Sequence, residues 1–266
     1  MSQNPDTKDY IMVLGYAKGG NFHCQLNRNY IRVHWQIKLI ALFSIIRGLE
    51  IIHQKQMVHR DFHTGNLLVD QENLGLYNEI FISDMGLCGE IDNIKDETKI
   101  YGVMPYVAPE VLKGNPYTQA ADIYSFGMIM YFVATGKQPF ANCAHDEILA
   151  LNICNGIRPE INESEIPKCF IDLMIKCWDS NPDNRPTAIE IEKLISFYFF
   201  DIHSRNKEIK KQFEEAEKYR VANLSSIKNN QLTTHSQACY TSRLLNPFTK
   251  NLHSNLNSVE VIDFTR

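Results

Sequence analysis

The chain has 266 residues, 44% hydrophobic and 22% charged, which is enough apolar material for one good core and no more than about two domains. A formal net charge of −4 argues against a broad nucleic-acid-binding face. Seven cysteines, at positions 24, 88, 143, 154, 169, 177 and 239, form an odd set without a C-x-x-C pair, which suits reduced thiols rather than a disulfide scaffold or a zinc site. The apolar runs at 39–46 and 128–134 are too short to span a bilayer, and the polar residues 1–9 are no signal peptide. A soluble cytoplasmic protein with no membrane partner is expected, the nucleus being left open.

Residues 10–14 read as an apolar strand that runs into a Gly19-Gly20 break. From 35 to 53 the apolar positions 35, 39, 42, 43, 46 and 49 recur at helical spacing and predict a long, largely buried helix. Short strands are predicted at 67–69 and 79–82; paired as a hairpin, they would aim Asn66 and Asp84 at one point. Residues 120–135 read as a second buried helix closed by Gly136. Amphipathic helices follow at 145–155 and 167–178, and another over 186–200 with Pro186 at its first helical position. Over 205–220 the chain is charge-laced, with Ile209, Phe213, Ala216 and Arg220 on one face and Glu214 and Lys218 in the favoured i,i+4 order. That pattern predicts a surface helix, or a docking helix for a partner. From 223 onward Asn, Ser, Thr and Gln dominate and low order is expected. No internal repeat is visible.

Three short motifs carry chemistry. His59-Arg60-Asp61 is followed five residues later by Asn66 and then by the apolar Leu67-Leu68-Val69; Asp84-Met85-Gly86 stands 18 residues beyond Asn66, and Ala108-Pro109-Glu110 comes after that. Taken singly, Asp61 is a turn or helix cap and Asp84-x-Gly an ordinary turn. His59 and His63 lack a third ligand at zinc spacing. Together the carboxylates and the amide form a different set. An amide and a carboxylate suit Mg²⁺, which prefers few protein oxygens beside phosphate and water.

The ordered set resembles the C-terminal lobe of the protein kinases. The resemblance covers about residues 10–200 and implies a mainly α fold with a few short β-strands, a kinase-like α+β lobe. Residues 1–9 are then a remnant of the connection to an N-terminal lobe, 10–20 the hinge, 21–204 the lobe, 205–222 a charged helical extension and 223–266 a polar tail of low order. No G-x-G-x-x-G and no V-A-I-K occur in the chain, so the N-terminal lobe is expected to be missing.

By the same resemblance, Asp61 orients the acceptor hydroxyl, His63 faces the transferred phosphate, and Asn66 and Asp84 hold Mg²⁺. Leu68 lies under the adenine ring of ATP, whose edge meets the Gly15 carbonyl and the Ala17 amide. Protein substrates are the implied partners, together with an upstream kinase acting on Thr98 or Tyr101 near Arg60; nucleic acid is not among them. Glu110 is implied to pair with Arg185, and Asp122 to brace the catalytic loop.

Cys177-Trp178 with the turn 181–186 resembles the tyrosine-kinase-like group most. Four departures stand out: His63 where serine/threonine kinases carry Lys, Val103 where they often carry Thr, Met85 for Phe, and Tyr106 where tyrosine kinases typically carry Trp. Serine/threonine transfer is favoured, with a non-catalytic, pseudokinase-like binding module as the alternative.

Overall fold

The computed structural model describes residues 2–8, 10–11, 14–71, 79–90, 99–202, 207–224 and 234–250. Nine α-helices are described: α1 (Phe22–Asn29), α2 (Trp35–Gln54), α3 (Pro109–Leu112), α4 (Gln119–Thr135), α5 (Glu147–Cys154), α6 (Lys168–Cys177), α7 (Ala188–Asp201), α8 (Lys207–Ala222) and α9 (Asn246–Thr249). The strands are short: β1 (Ser2–Gln3), β2 (Tyr10–Ile11), β3 (Gly20–Asn21), β4 (Met57–Val58), β5 (Leu67–Val69), β6 (Ile80–Ile82), β7 (Gly89–Glu90), β8 (Tyr101–Gly102) and β9 (Arg243–Leu244). The expected mainly α architecture with a few strands is what the chain adopts.

The core is built on α2 and α4. Every residue of α4 from Ala121 to Thr135 is buried, so this largely apolar helix is covered on every side and lies inside the lobe. Its ends follow local chemistry. The Thr118 hydroxyl accepts from Ala121 N at 3.3 Å, and Gly136, at φ 69°, takes the left-handed closing position that costs other residues strain. α2 packs on α7 and on β6, and α4 packs on α6. Lys38 is buried within α2, where its ammonium donates to Ala134 O at 2.7 Å and lies over the rings of Tyr30 and Trp35.

Two local expectations need correction, and a third is borne out. α7 starts at Ala188 behind Thr187, which forms a capping box with Glu190; Pro186 stands outside the cap, not at the first helical position. The strand expected over 10–14 is limited to β2, which pairs with β1, while Leu14 is 75% exposed in irregular chain and 12–13 lie outside the described residues. α8 is the surface helix expected over 205–220, its charged face exposed and its Phe213, Ala216 and Arg220 face turned inward. It buries Phe213 and Ala216 against the lobe, with the Phe213 ring 5.6 Å from Trp35 and 6.2 Å from Tyr198.

The expected low order beyond 223 does not describe residues 234–250 either. β9 pairs antiparallel with β8, and Leu245 is fully buried. Residues 225–233 and 251–266 lie outside the described residues.

The Gly19-Gly20 break has two separate causes. A Cβ at Gly19 would lie 1.9 Å from Gln71 O, and Gly20 sits at φ +67°. This tight turn lets β3 pair with β5, which in turn pairs with β6. The registers Asn21↔Leu68 and Leu68↔Phe81 set three side chains across the sheet. Leu67 and Val69 point into the core, and Leu68 faces the other way, half-buried, beside an exposed Phe81.

Candidate active site

The loop from His59 to Asn66 joins β4 to β5, and its backbone is held from below. Arg60 takes a positive φ of 70°, a costly conformation for a non-glycine residue. The Asp122 carboxylate offsets that cost. It accepts from His59 N at 2.8 Å and Arg60 N at 3.1 Å and meets His53 Nε2 at 3.0 Å. The implied bracing role of Asp122 has the geometry it requires.

Above this brace, Asp61 and Asn66 are joined. Asn66 Nδ2 donates to Asp61 O at 2.9 Å and to Asp61 Oδ2 at 3.4 Å. That turns the amide nitrogen towards Asp61 and leaves the amide oxygen, the atom a cation would want, for another partner. Asn66 O accepts from Ser83 N at 2.8 Å and Ser83 Oγ at 2.9 Å, extending the β5–β6 register by one pair. Asp84 follows directly, exposed and left-handed at φ 57°. The hairpin therefore brings Asn66 and Asp84 to the same end, as the strand spacing predicts.

His63 lies beside Asp61, its Nε2 3.6 Å from Asp61 Oδ1. Its Nδ1 accepts from Gly65 N at 3.0 Å, which fixes the tautomer with the proton on Nε2, facing the carboxylate. Burial pushes the Asp61 carboxyl up. The polar groups of His63 and Ser242, with His59 adding to the effect, outweigh burial and hold it below its ordinary value. A carboxylate kept ionised and turned to one side of a loop is able to take a proton from a hydroxyl.

The other expected residues are spread around this centre. Gly15 is exposed and Ala17 half-buried in irregular chain, where Ala17 O accepts from Gly20 N at 3.1 Å. Met85 and Leu87, next to Asp84, are 44% and 38% exposed, so the apolar face around Leu68 and Phe81 stays open. Glu110 and Arg185 form the implied pair, at 2.6 and 2.7 Å. Tyr101 lies in β8, and Thr98 lies outside the described residues. Arg60 is already engaged, donating to Glu90 O at 2.9 Å through one terminal nitrogen, while its Nε is buried without a partner among the described residues.

Several contributors were missed in the sequence. The Thr64 hydroxyl, the Tyr106 hydroxyl and the Gln138 amide form a closed set, with Tyr106 donating to Gln138 Oε1 at 2.6 Å and Gln138 Nε2 to Thr64 Oγ1 at 3.3 Å. Asn21 caps α1 and also donates to Gly65 O at 2.6 Å, pinning the end of the loop. Only the Asn21 N-cap carried a local signal.

The family model described as "Protein kinase domain" matches residues 2–197. The chain belongs to the protein kinase family. Among its relatives, a protein of Acanthamoeba polyphaga mimivirus named as a serine/threonine-protein kinase/receptor (R831) is 34% identical over 68% of this chain and 11% of its own length. A Dictyostelium discoideum protein named as a serine/threonine-protein kinase is 35% identical over 68% of this chain and 12% of its own. The dual specificity protein kinase pyk3 of the same organism is 30% identical over 66% of this chain and 13% of its own. The chain thus matches only about a tenth of the length of these relatives. No helix among the described residues is long and apolar enough to cross a membrane, and no group of three metal-ligating side chains occurs among them.

Proposed function

We propose that this chain supplies the acceptor-binding C-terminal lobe of a serine/threonine protein kinase, most similar to the tyrosine-kinase-like group, which transfers the γ-phosphoryl of ATP to a protein hydroxyl. The observation that carries the reading is the junction of Asp61 with Asn66 at the end of the hairpin that also delivers Asp84. Asp61 accepts the hydroxyl proton. Asn66 tethers Asp61 and, with Asp84, offers two oxygens, a set that fits Mg²⁺. His63 places Nε2 3.6 Å from Asp61 Oδ1, where serine/threonine kinases carry the permanent positive charge of a lysine. Mg²⁺ bound with ATP supplies neutralisation of the phosphate charge.

In this reading residues 10–20 are the hinge, 21–204 the lobe and 205–222 a helical extension. Gly15, Ala17 and Leu68 meet the adenine. The glycine-rich loop and strand lysine are absent from these 266 residues. They belong to a lobe that covers the open face of Leu68, Phe81 and Met85. An upstream kinase acts on Thr98 or Tyr101, the unpartnered Nε of Arg60 awaiting the phosphate. A cytoplasmic location goes with the set of reduced thiols.

The test joins the chain behind an N-terminal lobe that carries the three missing parts. Mg-ATP-dependent phosphorylation of a generic protein substrate should appear. Asp61→Asn and Asp84→Asn should each lower kcat by about 10² or more, and His63→Ala by less. A fusion that folds and binds ATP yet transfers nothing would make the lobe a non-catalytic binding module, with His63 and Val103 as the decisive departures.

A further inference from the structure

The segment 234–250 is polar in composition, yet it is tied down along its length. His235 N donates to Ala141 O at 2.8 Å, Cys239 N to His145 Nδ1 at 3.0 Å, and the Tyr240 hydroxyl to Pro139 O at 2.9 Å. Tyr240 also stands edge-on to His145, with ring centroids 4.8 Å apart. Arg243 donates to His145 O at 2.6 Å and lies over the Phe248 ring. Leu245 N donates to Ile100 O at 2.7 Å, Asn246 Oδ1 accepts from Ile100 N at 2.8 Å, and the Leu245 side chain is fully buried.

The place of this strand matters more than its strength. β9 adds to β8, the stretch that leads into the Ala108-Pro109-Glu110 motif, with Gly102 opposite Arg243. A Cβ on Gly102 would sit 3.6 Å from Asp61 Oδ1, so the β8–β9 pair runs directly past the carboxylate. Ser242 directly precedes the Arg243 that pairs with Gly102, and it is among the groups that hold the Asp61 carboxyl below its ordinary value. A peptide that adds a strand to an exposed edge takes affinity from the main chain and specificity from its side-chain pockets.

We infer that residues 239–248 occupy the acceptor-peptide groove from within the chain, with Ser242 in the place of the substrate hydroxyl. The inference rests on the kinase reading for the name of the groove, and on the strand pairing alone for its occupancy. It also states a ligand class. The groove takes an extended segment with a small hydroxyl residue at Asp61, Arg immediately after it, Leu three residues after it in a closed apolar pocket, and Asn next to that. The tail is then an internal competitor of protein substrates. A negative charge at Ser242 faces Asp61 and drives the tail out.

The test is amide hydrogen exchange on the full chain, with Ser242→Glu, Ser242→Ala and Leu245→Asp beside it. In the unaltered chain the amides of Ile100 and Leu245 should exchange at least about 10²-fold more slowly than in an unstructured peptide. Ser242→Glu and Leu245→Asp should each cut that protection by about tenfold or more while α2 and α4 keep theirs, and Ser242→Ala should retain it. A fluorescent synthetic peptide of residues 236–248 should bind the two tail-releasing variants at least about tenfold tighter than the unaltered chain, and should lose that binding when its own Leu245 is Asp. Free exchange at Leu245 in the unaltered chain, or Ser242→Glu behaving like Ser242→Ala, overturns the inference. Protection and competition as expected, without phosphoryl transfer in the fusion described above, sustain the tail's place and count against the kinase reading alone.

Discussion

Glu110→Ala isolates the ion pair that joins the Ala-Pro-Glu segment to the far end of the lobe. Arg185 Nη1 and Nη2 meet the two oxygens of Glu110 at 2.6 and 2.7 Å, and the Arg185 side chain has no solvent exposure. Its Nη1 also donates to Ala120 O and its Nε to Asp179 O, both at 2.9 Å, and the guanidinium lies over the Tyr124 ring. Each lost charge-assisted hydrogen bond is worth about 1.5–3 kcal/mol, a gross loss of about 3–6 kcal/mol. The two carbonyls that stay keep the result below the upper end, so about 3–5 kcal/mol is expected, the range for breaking a buried pair. That is a large share of the stability of any domain. Urea melts followed by the buried Trp35 and Trp178 measure it directly. Glu110→Gln, which keeps one acceptor, should lose about half as much, and Glu110→Leu with Arg185→Met should recover much of the loss because no charge is left unpaired. A loss below about 1 kcal/mol for Glu110→Ala would refute the reasoning.

Three further outcomes are expected. Burial pulls the Lys38 ammonium down to about 7, with Arg220 adding to the effect, so above that pH the unfolded chain binds a proton that the folded one lacks. Stability should therefore rise between pH 7 and about 8.5 by as much as ~1.4 kcal/mol per unit, and Lys38→Met should flatten the rise. Above that window the buried thiols Cys154 and Cys169, pushed up by burial to about 11 and about 12, reverse the slope, because only their unfolded forms ionise. Asp122→Asn sets an amide against the backbone donors of His59 and Arg60. It should cost about 1–3 kcal/mol in denaturant melts, and an unchanged midpoint would mean the brace is dispensable. Phe213→Ala should cost about 3–5 kcal/mol and release amide protection in α8, as expected of a helix docked on Trp35 and Tyr198; unchanged exchange there would show that α8 stands alone.

What was legible in the sequence was local. The buried positions of α2 recur at helical spacing, and Gly136 marks the end of α4 at the one position that needs a left-handed backbone. Asp61, Asn66 and Asp84 belong to a single loop and hairpin, so spacing alone brings them together. The misreading at Pro186 had a local remedy. Thr187-x-x-Glu190 is a capping-box pattern, and it outweighs proline's preference for the first helical position.

Periodicity was silent on partners. Ile209, Phe213 and Ala216 make the same stripe whether they face this lobe or another molecule, and only the three-dimensional placement of Trp35 and Tyr198 decides. The tail was hidden more deeply. β9 has two residues, too few for any alternation to register, and its anchors Tyr240 and Leu245 belong to no run with a strand or helix period. The chemistry of this site is therefore written in contiguous motifs, whereas what holds and occupies it comes from distant residues. Thr64, Tyr106 and Gln138 join across three separate segments, and β9 comes from the far end of the described chain to pair beside Asp61 at Gly102. Such groups act through backbone pairing and single hydrogen bonds, which demand little of residue type, and so they leave little trace in composition or spacing.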